Sequence, residues 1–131
     1  MLVSCWAIWP STEACQTGAV HPTELEPDGL YHLATAAEWA EHQRVGSIAP
    51  ESLATEGFVH CSWGRQVEGT VAKHFEGVTH LLALRLDADQ VGADLVEEDS
   101  YGSGQAFPHI YRPVPVRVVT SVVEVRRASD S

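Results

Sequence analysis

Three histidines lie in short segments whose composition suits a reactive site. His32 occurs in the segment YHLAT, His60 in GFVHCS and His109 in FPHIY. Imidazole is the side chain best suited to proton transfer near neutral pH, because its pKa is about 6.5. We therefore predict that the three histidines meet in one cleft. The alternative for any one of them is a partly buried histidine with a structural role only.

Hydroxyl and acidic side chains near the histidines would complete such a site. Alternation along a strand puts His60 and Ser62 on one face and Cys61 on the other. Cys61 is therefore predicted to be a small core residue and not a nucleophile activated by its neighbour. Thr35 supplies a further hydroxyl. Glu98, in an acidic run before a glycine-rich loop, is either part of a solvated strand end or a hydrogen-bonding carboxylate at the rim of the cleft.

Several common kinds of active site are not supported, because their sequence motifs are absent. No two of the three histidines are spaced at i, i+2 or i, i+4, and no Cys-x-x-Cys is present, so we predict no metal site. No Gly-x-Gly-x-x-Gly follows a strand, which leaves a Rossmann nucleotide site unsupported. The absence of Gly-x-Ser-x-Gly likewise leaves a hydrolase nucleophile elbow unsupported.

Chain length, composition and net charge restrict the class of protein. A chain of 131 residues that is 44% hydrophobic suits one domain. Its net charge of −10 disfavours a nucleic-acid partner, because Lys and Arg supply most of that affinity. Three irregularly spaced cysteines form no disulfide framework, which predicts reduced thiols and a cytoplasmic location. No apolar run approaches the roughly 20 residues of a membrane span.

Local patterns predict two main helices and several strands. A capping box at Thr35 and Glu38 predicts a helix over 36–45, and an apolar stripe predicts a second helix over 64–75. The segment 79–87 is apolar on both faces, which predicts a central strand covered on both sides. Further strands are predicted at 30–34, 57–62, 94–98 and 116–126.

These elements predict an α+β fold with a small mixed or split sheet, since strands outnumber helices and do not alternate with them regularly. Residues 1–28 are predicted to be an N-terminal extension and residues 29–131 a single α+β domain. His42, His74 and His80 are predicted to be solvated, on or beside helix faces.

The segments YHLAT, EGFVHCS, LRLD and FPHIY, with Pro113 after the last, resemble in the same order a bacterial family, the domain-of-unknown-function 952 family. The resemblance covers about residues 30 to 127. That family in turn resembles the ADP-ribosyltransferase-like superfamily, which includes RNA 2′-phosphotransferases. The resemblance implies an ADP-ribosyltransferase-like fold, NAD as cofactor and transferase chemistry.

The resemblance also implies roles for individual residues. His32 resembles the histidine of the first core strand that contacts an NAD ribose. His60 resembles the residue on the next strand that holds the nicotinamide end, with Ser62 and Thr35 as further binding residues.

For the remaining roles the family pattern is less direct. Glu98 or His109 would act as hydrogen-bond acceptor or base, and Tyr111 would stack on a ring. Arg65 and Arg112 are the nearest basic residues for a diphosphate. The alternative to this whole assignment is a cofactor-free enzyme, or a small-molecule-binding protein, that uses the same histidine-lined cleft.

Overall fold

A four-stranded sheet forms the centre of the fold. The structure, a computed structural model, describes residues 19–75, 77–78, 80–99, 102 and 104–126. The strands are β1 Leu30–Thr35, β2 Ser47–Ile48, β3 Val59–His60, β4 Ser62–Trp63, β5 Leu81–Leu86, β6 Leu95–Glu98, β7 Phe107–Ile110, β8 Val114–Pro115 and β9 Val119–Val125. The helices are α1 Ala36–Val45, α2 Glu51–Thr55, α3 Gly64–His74 and α4 Ala88–Val91, with 3₁₀ turns at Pro22–Glu24, Gly92–Asp94 and Val116–Val118.

The strands form three sheets. The main sheet has the order β4-β1-β5-β9, a second sheet has the order β3-β7-β6, and β2 pairs with β8. The paired strands are antiparallel, and the parallel contact among the described residues is an isolated bridge between Val20 and Val125. The predicted α+β class with a divided sheet is therefore confirmed, whereas a mixture of parallel and antiparallel strands is limited to that one bridge.

Strand β5 is central, as its sequence predicts. It lies between β1 and β9. Leu84 and Leu86 belong to one apolar cluster, whereas Leu81 and Ala83 belong to another on the opposite face. Burial of both faces explains why this strand carries an almost continuous apolar run.

The segment 57–62 differs from its prediction as one strand. Its first part forms β3 in the second sheet, and β4 follows in the main sheet. Between them, the backbone N–H of Cys61 donates to the carbonyl of Pro108 at 3.1 Å. Ser62 then pairs with Tyr31 of β1. The chain thus crosses from one sheet to the other at Cys61, and this crossing joins the two sheets.

Helix α1 has the predicted bounds, but it buries a residue predicted to be solvated. The predicted capping box is present: the Thr35 side chain accepts from the Glu38 N–H, and the Glu38 side chain accepts from the Thr35 N–H. Gly46 ends the helix with φ of 96°, a left-handed conformation that suits glycine. Trp39 and His42 are the buried residues. His42 lies one turn after Trp39, so both occupy the face that packs on the sheet.

The last strand begins later than predicted. The segment 116–118 forms a 3₁₀ turn, and β9 begins at Val119. Pro115 lies just before this turn in the short strand β8. The backbone N–H of Val116 donates to the carbonyl of Gly46 at 3.1 Å, so the chain is still bonded to the segment around β2 there and enters the main sheet only afterwards. Within the described residues, no helix combines the length and the apolar character that crossing a membrane requires.

Residues 19–28 of the predicted extension pack on the domain, while Trp6 and Trp9 lie outside the described residues. The backbone N–H groups of Gly64 and Arg65, which begin α3, donate to the carbonyls of Gly29 and Pro27 at 2.9 and 3.1 Å. These bonds satisfy donors that a helix N-terminus otherwise leaves open.

Gly64→Ala is expected to destabilise the protein by about 2 kcal/mol or more, because a Cβ there would lie 1.7 Å from the carbonyl oxygen of Glu26. The matched control is Gly69→Ala in the same helix, where a Cβ meets nothing within 4 Å. That control is expected to stabilise by up to about 1 kcal/mol, since alanine is the better helix former. Urea unfolding measures both changes. Equal midpoints for Gly64→Ala and wild type would contradict the close packing of the 26–29 loop on α3.

Candidate functional site

A cavity of about 570 Å³ lies where the two larger sheets meet helices α1 and α3. Side chains from β1, β3 and β7 line it, among them His32, His60 and His109. Ser62 also lines it. The three histidines therefore share one cavity, as the sequence predicts, and their chemical roles stay predictions.

His60 and His109 lie opposite each other on paired strands. They are register partners in the β3–β7 ladder, and their ring centroids are 5.1 Å apart with the rings nearly perpendicular. Phe58 stacks on His109 at 4.0 Å and meets the edge of His60 at 4.8 Å. The two imidazoles are thus held by an aromatic cluster, which restricts their orientation.

Glu98 holds His109 from the side of strand β6. Its Oε1 accepts from Nδ1 of His109 at 2.9 Å and from the hydroxyl of Tyr111 at 2.5 Å. These two bonds, the one from Tyr111 foremost, lower the pKa of Glu98, so the carboxylate is ionised at neutral pH. The same carboxylate raises the pKa of the Tyr111 hydroxyl. An ionised carboxylate can only accept, so Nδ1 of His109 carries a proton, and Nε2 is the nitrogen left for a ligand.

His32 is fixed in the same tautomer by a different partner. Its Nδ1 lies 2.7 Å from the carbonyl oxygen of His60, to which it must donate. Burial lowers the pKa of His32 to about 4, so the ring is neutral at pH 7. Nε2 of His32 is therefore a hydrogen-bond acceptor and not a cation.

Helix α3 adds polar side chains that sequence reasoning missed. Gln66 is buried, and its amide nitrogen donates to the carbonyl of Ala106 at 2.7 Å while its oxygen accepts from the N–H of Trp63 at 2.9 Å. Thr70, one turn on, lies 3.2 Å from the hydroxyl of Ser62. Both lie at helical spacing beside the apolar stripe of α3, which is the signal that would have indicated them.

Several predicted site residues do not line the cavity. Thr35 caps α1. The guanidinium of Arg65 donates to Asp28, and that of Arg112 donates to Asp94 at 2.7 Å. Tyr111 is 42% exposed and contacts the carboxylate behind His109.

The basic side chain that does line the cavity is Lys73 of α3, accompanied by His74. Glu98 lies behind His109 and is not among the lining residues. Of the two candidates for the acceptor or base, the structure thus brings His109 to the cavity and makes Glu98 its support.

Cys61 is a core residue in the structure. It is buried in the larger apolar cluster, and burial raises the pKa of its thiol far above the usual range. A thiol in that state is a poor nucleophile. Cys5 and Cys15 lie outside the described residues. Within the described part of the chain, no three His, Cys, Asp or Glu side chains are grouped so that they could hold a metal ion.

Because of His32, the free energy of unfolding is expected to decrease at acidic pH. Its folded pKa of about 4 lies below its unfolded value of about 6.5, so the unfolded chain binds a proton first. The free energy of unfolding should therefore fall as the pH drops from 6.5 to 4, by up to about 3 kcal/mol from this residue. In His32→Asn, whose amide can still donate to the carbonyl of His60, that part of the slope should vanish. Urea unfolding from pH 7 to 4 measures it, and parallel curves for wild type and variant would contradict the assignment.

Comparison with known proteins places the chain in a family. Residues 33–122 match the family described as "Protein of unknown function (DUF952)". The chain is 38% identical to the crystal structure of protein CC0527 from Caulobacter crescentus, over 73% of this chain and 84% of that one, with a TM-score of 0.65. The solution NMR structure of CC0527 is 36% identical, over 79% and 89% of the two chains, with a TM-score of 0.67. No curated protein matches the chain. Because the match covers most of its length, the chain belongs to the DUF952 family.

Proposed function

We propose that the chain is an ADP-ribosyltransferase-like enzyme that binds NAD in the histidine-lined cavity. The observation that supports this most directly is the convergence of His32 and His60 on one cavity of about 570 Å³. The sequence resemblance implies that these two residues, which the structure places on β1 and β3, act on one ligand. A volume of this order suits a small-molecule or cofactor site.

The fixed tautomers fit the sugar part of such a ligand. His32 is neutral and has Nε2 as acceptor, so it can accept a hydrogen bond from a ribose hydroxyl. His60 and Ser62 lie beside it and would position the nicotinamide end. Because these side chains belong to strands and to a packed aromatic cluster, little reorganisation is needed on binding.

NAD supplies a glycosidic bond whose cleavage places positive charge on the ribose. The acceptor nitrogen of His109 lies on a ring backed by the Glu98 carboxylate, an arrangement that stabilises a nearby positive charge or a transferred proton. Tyr111 binds the same carboxylate oxygen and fixes it. In this proposal His109 is the base or acceptor, while Glu98 and Tyr111 are positioning residues.

The diphosphate would be held differently from the sequence-based expectation. Arg65 and Arg112 are engaged by Asp28 and Asp94 away from the cavity lining. Lys73 lines the cavity and forms no ion pair with any described residue, so it is the side chain available for a phosphate. One ammonium is a weaker phosphate site than a bidentate arginine.

That weakness favours a second candidate, a cofactor-free enzyme or binding protein for a ligand without a diphosphate. The lining includes Glu38 and Glu51, which repel phosphates. The same imidazoles would then act on a neutral or cationic small molecule.

NAD titration separates the two candidates. Binding to the folded state raises the unfolding midpoint by mass action. A ligand at 100 times its Kd adds about 2.7 kcal/mol to the free energy of unfolding. We expect millimolar NAD to raise the midpoint by a few degrees. His32→Asn and His60→Ala should abolish the rise, whereas His80→Asn, at an exposed histidine away from the cavity, should keep it. His60→Ala retains the backbone carbonyl that His32 binds. No rise with NAD, or an equal rise in the His60→Ala variant, would contradict the proposal.

Glu98→Gln tests the role given to His109. Loss of the carboxylate should lower turnover of NAD by roughly 10- to 100-fold with little change in KM, because the base loses its orientation and support while binding contacts remain. In ¹⁵N spectra the protonated nitrogen of His109 should shift from Nδ1 toward a mixture of tautomers. Tyr111→Phe, which retains the ring, should give a smaller loss. Unchanged turnover and an unchanged tautomer in Glu98→Gln would contradict the assignment.

A further inference from the structure

A second cavity of about 260 Å³ adjoins the main one. We call it the annex, and its lining consists of Glu38, Glu41, His42, Val45, Ser47, Ala49, Pro50 and Glu51. Four of these residues, Glu38, His42, Pro50 and Glu51, also line the main cavity. A ligand in the main cavity can therefore extend into the annex.

The annex is lined by a largely buried imidazole whose ring nitrogens remain accessible. His42 is only 7% exposed, yet its ring makes no hydrogen bond with any residue that the structure describes. Its ring neighbour is His32, at 6.1 Å between centroids. Among the described residues, the fully enclosed side-chain nitrogen or oxygen without a partner is Nε of Arg126. The ring nitrogens of His42 are therefore accessible, and a ligand or water in the two cavities that the ring lines can bind them. Burial also lowers the pKa of His42, which favours a neutral ring with one acceptor nitrogen.

The charge of the annex defines what it attracts. Three exposed acidic residues, Glu38, Glu41 and Glu51, line the annex together with His42. Arg44 is bound to Glu41 and compensates that carboxylate alone. The other two carboxylates form no ion pair with a described residue. The annex is therefore negative beside a neutral hydrogen-bond acceptor, which suits a cation that carries N–H groups.

We propose that the annex is a binding site for a primary ammonium group of a ligand whose remainder lies in the main cavity. One N–H of the ammonium would donate to the acceptor nitrogen of His42. The carboxylate of Glu51 and the Glu38 oxygen that does not accept from the Thr35 N–H would accept the others. An ammonium has three donors and no acceptor, so this set of acceptors matches it. The proposal goes beyond NAD binding and does not depend on it.

Titration with n-butylammonium chloride tests the annex in the full chain without NAD. Binding should be saturable and should shift the imidazole ¹⁵N signals of His42. n-Butanol, which has the same shape without the charge, and tetramethylammonium, which has the charge without N–H groups, should each bind at least about tenfold more weakly, the equivalent of one charge-assisted hydrogen bond.

Substitutions test whether n-butylammonium binds at the annex residues. His42→Phe should weaken n-butylammonium binding by about tenfold, and Glu51→Gln by roughly threefold to tenfold. Glu68→Gln is the matched control, because Glu68 is exposed on α3 and lines neither cavity. If His42→Phe does not fold, the comparison of Glu51→Gln with Glu68→Gln decides.

Three results would overturn the proposal. They are unmoved His42 signals, equal binding of n-butylammonium and n-butanol, and equal losses in Glu51→Gln and Glu68→Gln. The last result would indicate attraction to the acidic surface as a whole. Because NAD is absent throughout, a failure here leaves the NAD titration unaffected, and a failure of NAD to bind leaves this test unaffected.

Discussion

The hydrogen bond from His32 to the carbonyl of His60 is the contact on which the site depends. Its length is 2.7 Å, and it links β1 of the main sheet to β3 of the second sheet. His32 is buried, so loss of this bond would leave a polar group without a partner, at a cost of about 1–3 kcal/mol. The backbone crossing at Cys61 adds a second link between the same sheets. Together these contacts set the separation of the cavity walls.

The same bond also determines the electrostatic character of the cavity. It occupies Nδ1 of His32, and burial keeps that ring neutral. On the other wall, the ionised carboxylate of Glu98 occupies Nδ1 of His109. Two histidines in one cavity thus have the same tautomer for different reasons, a carbonyl partner in one and a carboxylate in the other. The carbonyl partner leaves His32 as a hydrogen-bond acceptor only, whereas the carboxylate partner allows the His109 ring to stabilise a positive charge.

The features predicted correctly from the sequence are those that local patterns determine. Helix α1 follows from a capping box and a left-handed glycine, and β5 follows from an apolar run that only a central strand tolerates. The convergence of three histidines on one cavity was predicted from their positions at element ends, together with the family resemblance.

The features that were missed depend on partners distant in the chain. The division of the segment 57–62 between two sheets depends on Pro108 and Tyr31, which nothing within the segment indicates. His42 is buried because α1 packs that face on the sheet near His32. Arg65 and Arg112 are the nearest arginines in sequence, yet acidic residues elsewhere in the fold engage them. Charge pairing across the fold cannot be read from the spacing of residues along it.

These partners also explain how an acidic chain can keep a selective site. The net charge is −10, and the charged side chains of Glu98, Arg65 and Arg112 are engaged behind or away from the cavity lining. The cavity lining contains imidazole rings, amides and hydroxyls, with Lys73 on α3 and carboxylates toward the annex. Neutral groups select a ligand by the pattern of its donors and acceptors, while the few charges orient it.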